Sequence, residues 1–112
     1  MGLFGDGMQV FRMDNLKVGE FDPGAEGFYR NVMTFSFNVK KKRILRAVVR
    51  SDNPVDIAVA DEKGSSVAHK QAILNGELAD IPTGDSKEMG LFIGVYPGDT
   101  AVVSVEIWME RP

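Results

Sequence analysis

Apolar and polar residues alternate one by one along much of this chain. The alternation is clearest from residue 90 to residue 112, on both sides of a turn at Pro97 and Gly98. Successive side chains of a strand point to opposite faces, so a period of two predicts a half-buried β-sheet. We therefore expect two closing strands that form a hairpin. Their core side is predicted to consist of Leu91, Ile93, Val95, Val103, Val105, Ile107 and Met109.

Other segments repeat this pattern and are separated by turn-forming residues. Residues 33–39, 44–50 and 55–59 alternate clearly, and weaker strand patterns lie at residues 8–13 and just after Leu16. Glycine, proline, asparagine and aspartate dominate the intervening stretches, as expected of turns. The spacing predicts an all-β protein, an antiparallel, jelly-roll-like β-sandwich of about seven or eight strands.

One segment, residues 65–76, is compatible with two structures. Ser66 could cap a short helix that Asn75 and Gly76 would end. Such a helix is barely long enough to be stable by itself. In a chain built otherwise of strands we favour a short strand and an irregular crossing, followed by a polar connection.

Composition points to one soluble domain spanning residues 1–112, whose first seven residues are glycine-rich and expected to be flexible. The hydrophobic fraction of 44% and the charged fraction of 26% are typical of a globular protein. We find neither a secretory signal pattern nor an apolar run long enough to span a bilayer, so we expect a cytoplasmic protein.

The chain contains no cysteine, which excludes disulfides, thiolate metal sites and a cysteine nucleophile. The net charge of −3 argues against a globally basic nucleic-acid binder, so a nucleic-acid partner is not expected. No cofactor motif is present, because the glycine-rich stretches do not join a strand to a helix.

A basic cluster lies between residues 40 and 50. Its members of interest are Lys40, Lys42, Arg43, Arg46 and Arg50, and alternation places Arg46 and Arg50 on one outward stripe. Such a stripe could bind a polyanion: phosphate, RNA or anionic lipid. The alternative is a solvated hairpin whose charges discourage edge-to-edge pairing, and we favour it because no aromatic residue shares the outward face.

Acidic residues lie near predicted loops at Asp52, Asp56, Asp61, Glu62, Asp85 and Asp99. Loop carboxylates can bind calcium, but turns use the same residues for their own hydrogen bonds. We favour hydrogen bonding within turns and predict no metal site. The single histidine, His69, has no catalytic partner motif, so we predict no catalytic residues and no enzyme.

Residues 33–109 carry a resemblance to a known family, and its clearest part is the segment that ends at the turn after Asp61. A Phe-x-Val strand end at Phe37, a basic turn, two alternating strands and an Asp-x-x-Gly turn at Asp61 follow one another in order. This order resembles the non-catalytic β-sandwich modules of the GOLD type and the accessory domains of some secreted peptidases. The chain lacks the cysteine pair of the trafficking-type GOLD proteins. The resemblance implies a module for association, without catalytic residues.

Aromatic side chains provide the candidate interaction surface. Alternation turns Phe92, Tyr96 and Trp108 away from the core side of the closing strands. Outward aromatics suit a protein partner or a second copy of the chain, although the N-terminal segment could also cover them. We therefore predict a non-enzymatic β-sandwich interaction domain that binds a protein partner or self-associates, with polyanion binding and calcium or small-ligand binding on the loops as alternatives.

Overall fold

The computed structural model describes residues 7–19 and 31–111. Across these residues the chain forms six strands, all paired antiparallel. Their bounds are β1 (Met8–Gly19), β2 (Val32–Asn38), β3 (Ile44–Ala60), β4 (Ser66–Pro82), β5 (Glu88–Gly94) and β6 (Thr100–Glu110). Of the first seven residues, which were predicted to be flexible, residues 1–6 lie outside the described residues.

Two long strands organise the sandwich. β3 and β4 are each 17 residues long and pair with each other over nearly their whole length. The first part of β3 also pairs with β6, which pairs with β1, and the second part pairs with β5, which pairs with β2. Sheet A therefore consists of β1, β6, residues 44–51 and residues 75–82. Sheet B consists of β2, β5, residues 55–60 and residues 66–73.

This arrangement confirms the predicted antiparallel, jelly-roll-like sandwich, with fewer strands than expected. The Asp52-Asn53-Pro54 stretch was predicted to end a strand, but β3 passes through it with a register shift between Arg50 and Val55. The turn predicted at Asp14 and Asn15 is likewise a β-bulge within β1. Residues 66–82 form one strand, so the helix alternative is wrong, as are the irregular crossing and the polar connection through residues 77–82.

The predicted core side is confirmed. Inward-facing residues of β3, β5 and β6 are buried, including Leu45, Ile57, Leu91, Ile93 and Ile107, each with no more than trace exposure. Val95 is half-buried and packs against the same core. Near the β1 and β2 edges, the ring of Phe11 lies 5.6 Å from that of Phe35 and 6.0 Å from that of Phe37, which joins sheet A to sheet B.

The predicted closing hairpin is wrong. β5 pairs only with β2 and β3, whereas β6 pairs only with β1 and β3, among the strands described. The turn at Pro97 and Gly98 therefore carries the chain from sheet B to sheet A. Within residues 7–19 and 31–111, no helix has the length and apolar character needed to cross a membrane.

Candidate interaction surface

Phe92 occupies the centre of the outer face of sheet B. It lies on β5, opposite Thr34 of β2 on one side and Ala58 of β3 on the other. Its neighbours on the same face of β5 are Gly90 and Gly94, which have no side chains to cover it. A Cβ atom built on Gly90 would lie 3.4 Å from Cε1 of Phe92, so the ring lies against this glycine. The side chain remains 38% exposed.

The strand register surrounds Phe92 with small, uncharged residues. The central row runs across four strands through Thr34, Phe92, Ala58 and His69. The adjacent row contains Ser36, Gly90, Ala60 and Ser66. Aspartate, glutamate, lysine and arginine are absent from both described rows, and carboxylates appear only beyond them, at Asp56 and Glu88. We call these two rows, together with Val32, the Phe92 face.

The outer face of sheet A has the opposite character. Arg12, Glu106, Val48 and Glu77 lie side by side across its four strands. Arg46 Nη1 lies 3.4 Å from Glu77 Oε2, and Arg12 Nε lies 3.0 Å from Asp14 Oδ2. The outer face of sheet A therefore carries charged side chains of both signs, whereas the two rows around Phe92 on sheet B carry polar and apolar side chains without aspartate, glutamate, lysine or arginine.

The three predicted aromatic residues do not form one surface. Trp108 lies on β6, between Gln9 and Arg46 on the outer face of sheet A, where it is half-buried. Tyr96, 78% exposed, lies in the turn after β5 and borders a cleft of about 330 Å³ with Gly94 and Asp56. Tyr96 thus adjoins the Phe92 face. Trp108 faces the other way, because the inner faces of the two sheets pack against each other.

The basic residues are divided between two parts of the molecule. Lys40 and Lys42 are exposed in the connection from β2 to β3, and Arg43 is half-buried beside them. The Lys42 N–H donates to the Gly84 carbonyl at 2.7 Å, and the Arg43 N–H donates to Thr83 Oγ1 at 2.8 Å. Buried Thr83 donates in turn to the Lys40 carbonyl at 2.7 Å. This connection is therefore held by the chain that follows β4.

Arg46 and Arg50 do point outward from sheet A, as predicted. Glu77 binds Arg46, and Arg50 borders a depression of about 320 Å³ with Arg12, Asp14 and Glu106. The positive stripe is consequently interleaved with carboxylates, which weaken its field at the distances of a bound polyanion.

Four of the six predicted acidic residues, Asp52, Asp56, Asp61 and Glu62, accept hydrogen bonds from backbone N–H groups. Asp52 Oδ1 accepts from the Val102 N–H at 2.8 Å, and Asp61 Oδ1 accepts from the N–H groups of Lys63 and Ser65. Among the described residues, no group of three or more histidine or carboxylate side chains has the proximity needed for a metal ion. His69 is exposed on β4.

Glu62 is the acidic residue with the most distinctive surroundings. Its Oε1 accepts from the Lys87 N–H at 2.8 Å and from the Glu88 N–H at 3.4 Å. These two hydrogen bonds favour the carboxylate and lower the pKa of Glu62, and the nearby charges of Lys87 and Lys41 act in the same direction. Glu62 therefore fastens the turn after β3 to the start of β5.

Sequence reasoning missed most of the Phe92 face. The alternation turned Phe92 outward correctly, but it did not bring Thr34, Ser36 and Ala58 beside it. A signal was present in the Gly-x-Phe-x-Gly of β5 and in the uncharged outward residues of β2. Only the pairing of β5 with both β2 and β3 places these residues side by side.

Comparisons with known proteins identify a distant structural neighbour and no family. No protein-family model matches the chain, and no curated protein matches it. A chain in the structure of infectious bursal disease virus Gt strain is similar at a TM-score of 0.44 and 13% identity. The match covers 94% of this chain and 32% of the viral one, so this chain spans about a third of that neighbour. The resemblance to GOLD-type and peptidase-accessory modules stays a prediction.

Proposed function

We propose that this chain is a non-enzymatic β-sandwich interaction domain that binds protein through the Phe92 face. The observation that carries the proposal is the absence of charge from the two described rows around Phe92, in a chain whose charged fraction is 26%. Protein interfaces are depleted of charge at their centre, enriched in aromatic residues there and polar at their rim. The Phe92 face has this distribution, with Asp56 and Glu88 at its margins.

The geometry around Phe92 suits an anchor residue. Its ring lies on Gly90, and the neighbouring Thr34 and Ala58 are small, so a partner can approach the ring closely. Interface residues that contribute most to affinity are typically central and aromatic. We expect replacement of Phe92 to weaken binding by at least about tenfold, the effect of a typical anchor.

The alternatives have less support. Arg46 is paired with Glu77, so polyanion binding along the basic strand would have to compete with an existing ion pair. Asp52, Asp56, Asp61 and Glu62 accept hydrogen bonds from backbone N–H groups, which would have to be given up or shared if these carboxylates bound calcium. The Phe92 face needs no such rearrangement to receive a partner.

Site-specific photocrosslinking tests the proposal. Benzoylphenylalanine is incorporated at Phe92 in one protein and at Trp108 in a matched control, and each is irradiated in an extract of the cells that express the chain. We expect a discrete adduct from the Phe92 position only. Excess unlabelled wild-type chain should compete for it, whereas the Phe92→Lys variant should not.

Two results would contradict the proposal. One is the lack of a saturable adduct at the Phe92 position, and the other is an adduct that wild type and Phe92→Lys suppress equally. Circular dichroism and thermal melting of each variant establish that it is folded before the competition is interpreted.

A further inference from the structure

Three strands of the sandwich, β1, β2 and β4, have an edge without a partner strand among the described residues. Unpaired edges invite association with other strands, and proteins usually protect them with bulges, prolines and charges. β1 has two register irregularities and carries Arg12 and Asp14. β4 has Ala72 and Asp80 at positive φ and ends at Pro82. Both of these edges are protected.

The edge of β2 lacks every one of these protections. Its register with β5 is regular from Val32 to Asn38, without a bulge. No residue of β2 has a positive φ. Its sequence, VMTFSFN, contains neither proline nor a charged residue. Among the described edges, β2 is the one suited to accept another strand.

The hydrogen bonding of β2 shows which backbone groups are directed to the free edge. The Val95 N–H donates to the Asn31 carbonyl and the Val39 N–H donates to the Lys87 carbonyl, both at 2.8 Å. In an antiparallel pair, hydrogen-bonded residues alternate with residues whose N–H and C=O groups point the other way. The odd-numbered residues of β2 therefore bond to β5. Val32, Thr34, Ser36 and Asn38 direct their backbone groups outward.

We propose that this free edge pairs antiparallel with β2 of a second copy of the chain, about a twofold axis at Phe35. Outward-directed residues must then lie opposite each other, which places Thr34 opposite Ser36 of the second copy and Val32 opposite Asn38 of the second copy. This register pairs the whole of β2. It extends sheet B through two molecules as one continuous sheet.

A second copy fits this edge because β2 is complementary to itself. Near a twofold axis each residue lies close to its own equivalent, so a strand with charges of one sign would repel itself, whereas β2 is uncharged. Thr34 and Ser36 form a favourable cross-strand pair of hydroxyl side chains. Half-buried Phe35 lies at the axis as a non-hydrogen-bonded pair, the position at which facing side chains come closest. The closed dimer leaves neither β2 edge exposed.

This inference does not depend on the proposed function of the Phe92 face, because it rests on the unpaired backbone groups of β2, although Val32, Thr34 and Ser36 also belong to that face. The Phe92→Lys variant leaves the backbone of β2 unchanged. Substitutions at Thr34 and Ser36 alter the edge and the face together, so two double variants that both place charges on the face are compared with each other, and Phe92→Lys is measured in the same assay.

Sedimentation equilibrium tests the inference with wild type and two matched double variants. The protein concentration runs from about 10 µM to about 1 mM, a range that covers weak dimers. Thr34→Lys/Ser36→Lys places like charges opposite each other across the axis, and Thr34→Lys/Ser36→Glu places opposite charges there. We expect wild type to dimerise. The dissociation constant of the first variant should be at least about tenfold higher than that of the second, because like charges on facing strands repel. Hydrogen exchange at the Thr34 and Ser36 amides should slow as wild-type concentration rises.

Three outcomes would overturn the inference. The wild type could remain monomeric over the whole range. A dimer could be lost in Phe92→Lys yet be equally strong in the two double variants, which would locate self-association on the Phe92 face. Finally, the Thr34 and Ser36 amides could be protected at every concentration, which would mean that the chain itself covers the edge. Circular dichroism of both double variants verifies that they fold.

Discussion

The carboxylate of Asp56 on β3 accepts a hydrogen bond of 3.0 Å from the backbone N–H of Ala72 on β4. Ala72 has a φ of 55°, in the left-handed region that residues other than glycine rarely adopt. It lies between Lys70 and Ile73, where the register of β3 and β4 is irregular. Asp56 therefore holds a strained bulge in place at the margin of the Phe92 face.

This strain makes Ala72 a position at which glycine should be tolerated. A left-handed conformation costs an L-residue roughly 1–2 kcal/mol, and glycine avoids that cost. Glycine also loses about 0.5–1 kcal/mol through its more flexible unfolded state. We expect Ala72→Gly to leave the free energy of unfolding unchanged or to raise it by up to about 1.5 kcal/mol, measured by urea denaturation.

Ala79→Gly is the matched control, because Ala79 is also exposed on β4 but does not have a positive φ. It should lower the free energy of unfolding by about 0.5–1 kcal/mol. Equal destabilisation by the two substitutions would show that the bulge at Ala72 is not strained.

Gly19 and Gly64 allow backbone strain to be separated from steric overlap. Both have positive φ, 101° and 89°. A Cβ on Gly19 would overlap the Asp99 carbonyl oxygen, whereas a Cβ on Gly64 would meet nothing within 4 Å. Gly64→Ala should cost roughly 1–2 kcal/mol from conformation alone. Gly19→Ala should cost more than about 4 kcal/mol or prevent folding, since backbone must move to relieve the overlap. Similar losses for the two variants, measured by chemical denaturation, would contradict this assignment.

Glu62 should make stability depend on pH. Because hydrogen bonds from the Lys87 and Glu88 amides lower its pKa in the folded state, the folded chain binds a proton at this site less readily than the unfolded chain. The stabilisation is thus present above the unfolded pKa of about 4.3 and is lost as pH falls through the lower, folded pKa. We expect Glu62→Gln to reduce the urea midpoint at neutral pH.

The comparison is made at two pH values. The gap between the midpoints of wild type and Glu62→Gln should shrink on acidification from about pH 7 to about pH 3, where the carboxylate of the wild type is increasingly protonated. A gap that widens at low pH would show that the hydrogen bonds do not favour the charged form.

The paired cations of sheet A should bind polyanions poorly. Because Glu77 binds Arg46, we expect the wild type to elute from heparin below roughly 0.15 M salt, near physiological ionic strength. Glu77→Gln frees Arg46 and should increase retention, while Glu88→Gln removes the same charge from sheet B and serves as the control. Strong retention of wild type that is lost in Lys40→Gln/Lys42→Gln would instead support polyanion binding at the β2–β3 connection.

The inward and outward faces of strands could be predicted because they depend on local sequence. Leu45, Ala47 and Val49 are buried as expected, and so are Val103 and Val105. Each of these predictions needs only the period of two within one strand. The overall class of fold follows in the same way, since repeated half-buried strands require a second layer to cover their apolar side.

Strand partners could not be predicted, because they depend on residues far apart in the chain. The closing strands were expected to pair, yet β5 and β6 belong to different sheets and each pairs with β3. Turn-forming residues were similarly ambiguous. Asn53 and Pro54 lie within β3, where the side-chain amide of Asn53 donates to the Thr100 carbonyl at 2.7 Å. Asparagine and proline are therefore found at irregular positions within a strand as well as in turns.

The candidate site was predicted only in part for the same reason. Phe92 was correctly turned outward, but Trp108 was assigned to its surface because the two strands were expected to form a hairpin. Once β5 and β6 are placed in separate sheets, Trp108 joins Arg46 on sheet A and Phe92 joins Thr34 on sheet B. The candidate site therefore consists of residues that are neighbours across strands and not along the sequence.

The hairpin of β3 and β4 belongs to both sheets, with residues 44–51 in sheet A and residues 55–60 in sheet B. Separating one sheet would expose the shared core and break a hairpin that the other sheet also needs. We therefore expect the two halves to melt in a single cooperative transition, with neither β1 and β6 nor β2 and β5 folding autonomously. Binding at the edge of one sheet should therefore raise the melting temperature of the whole domain.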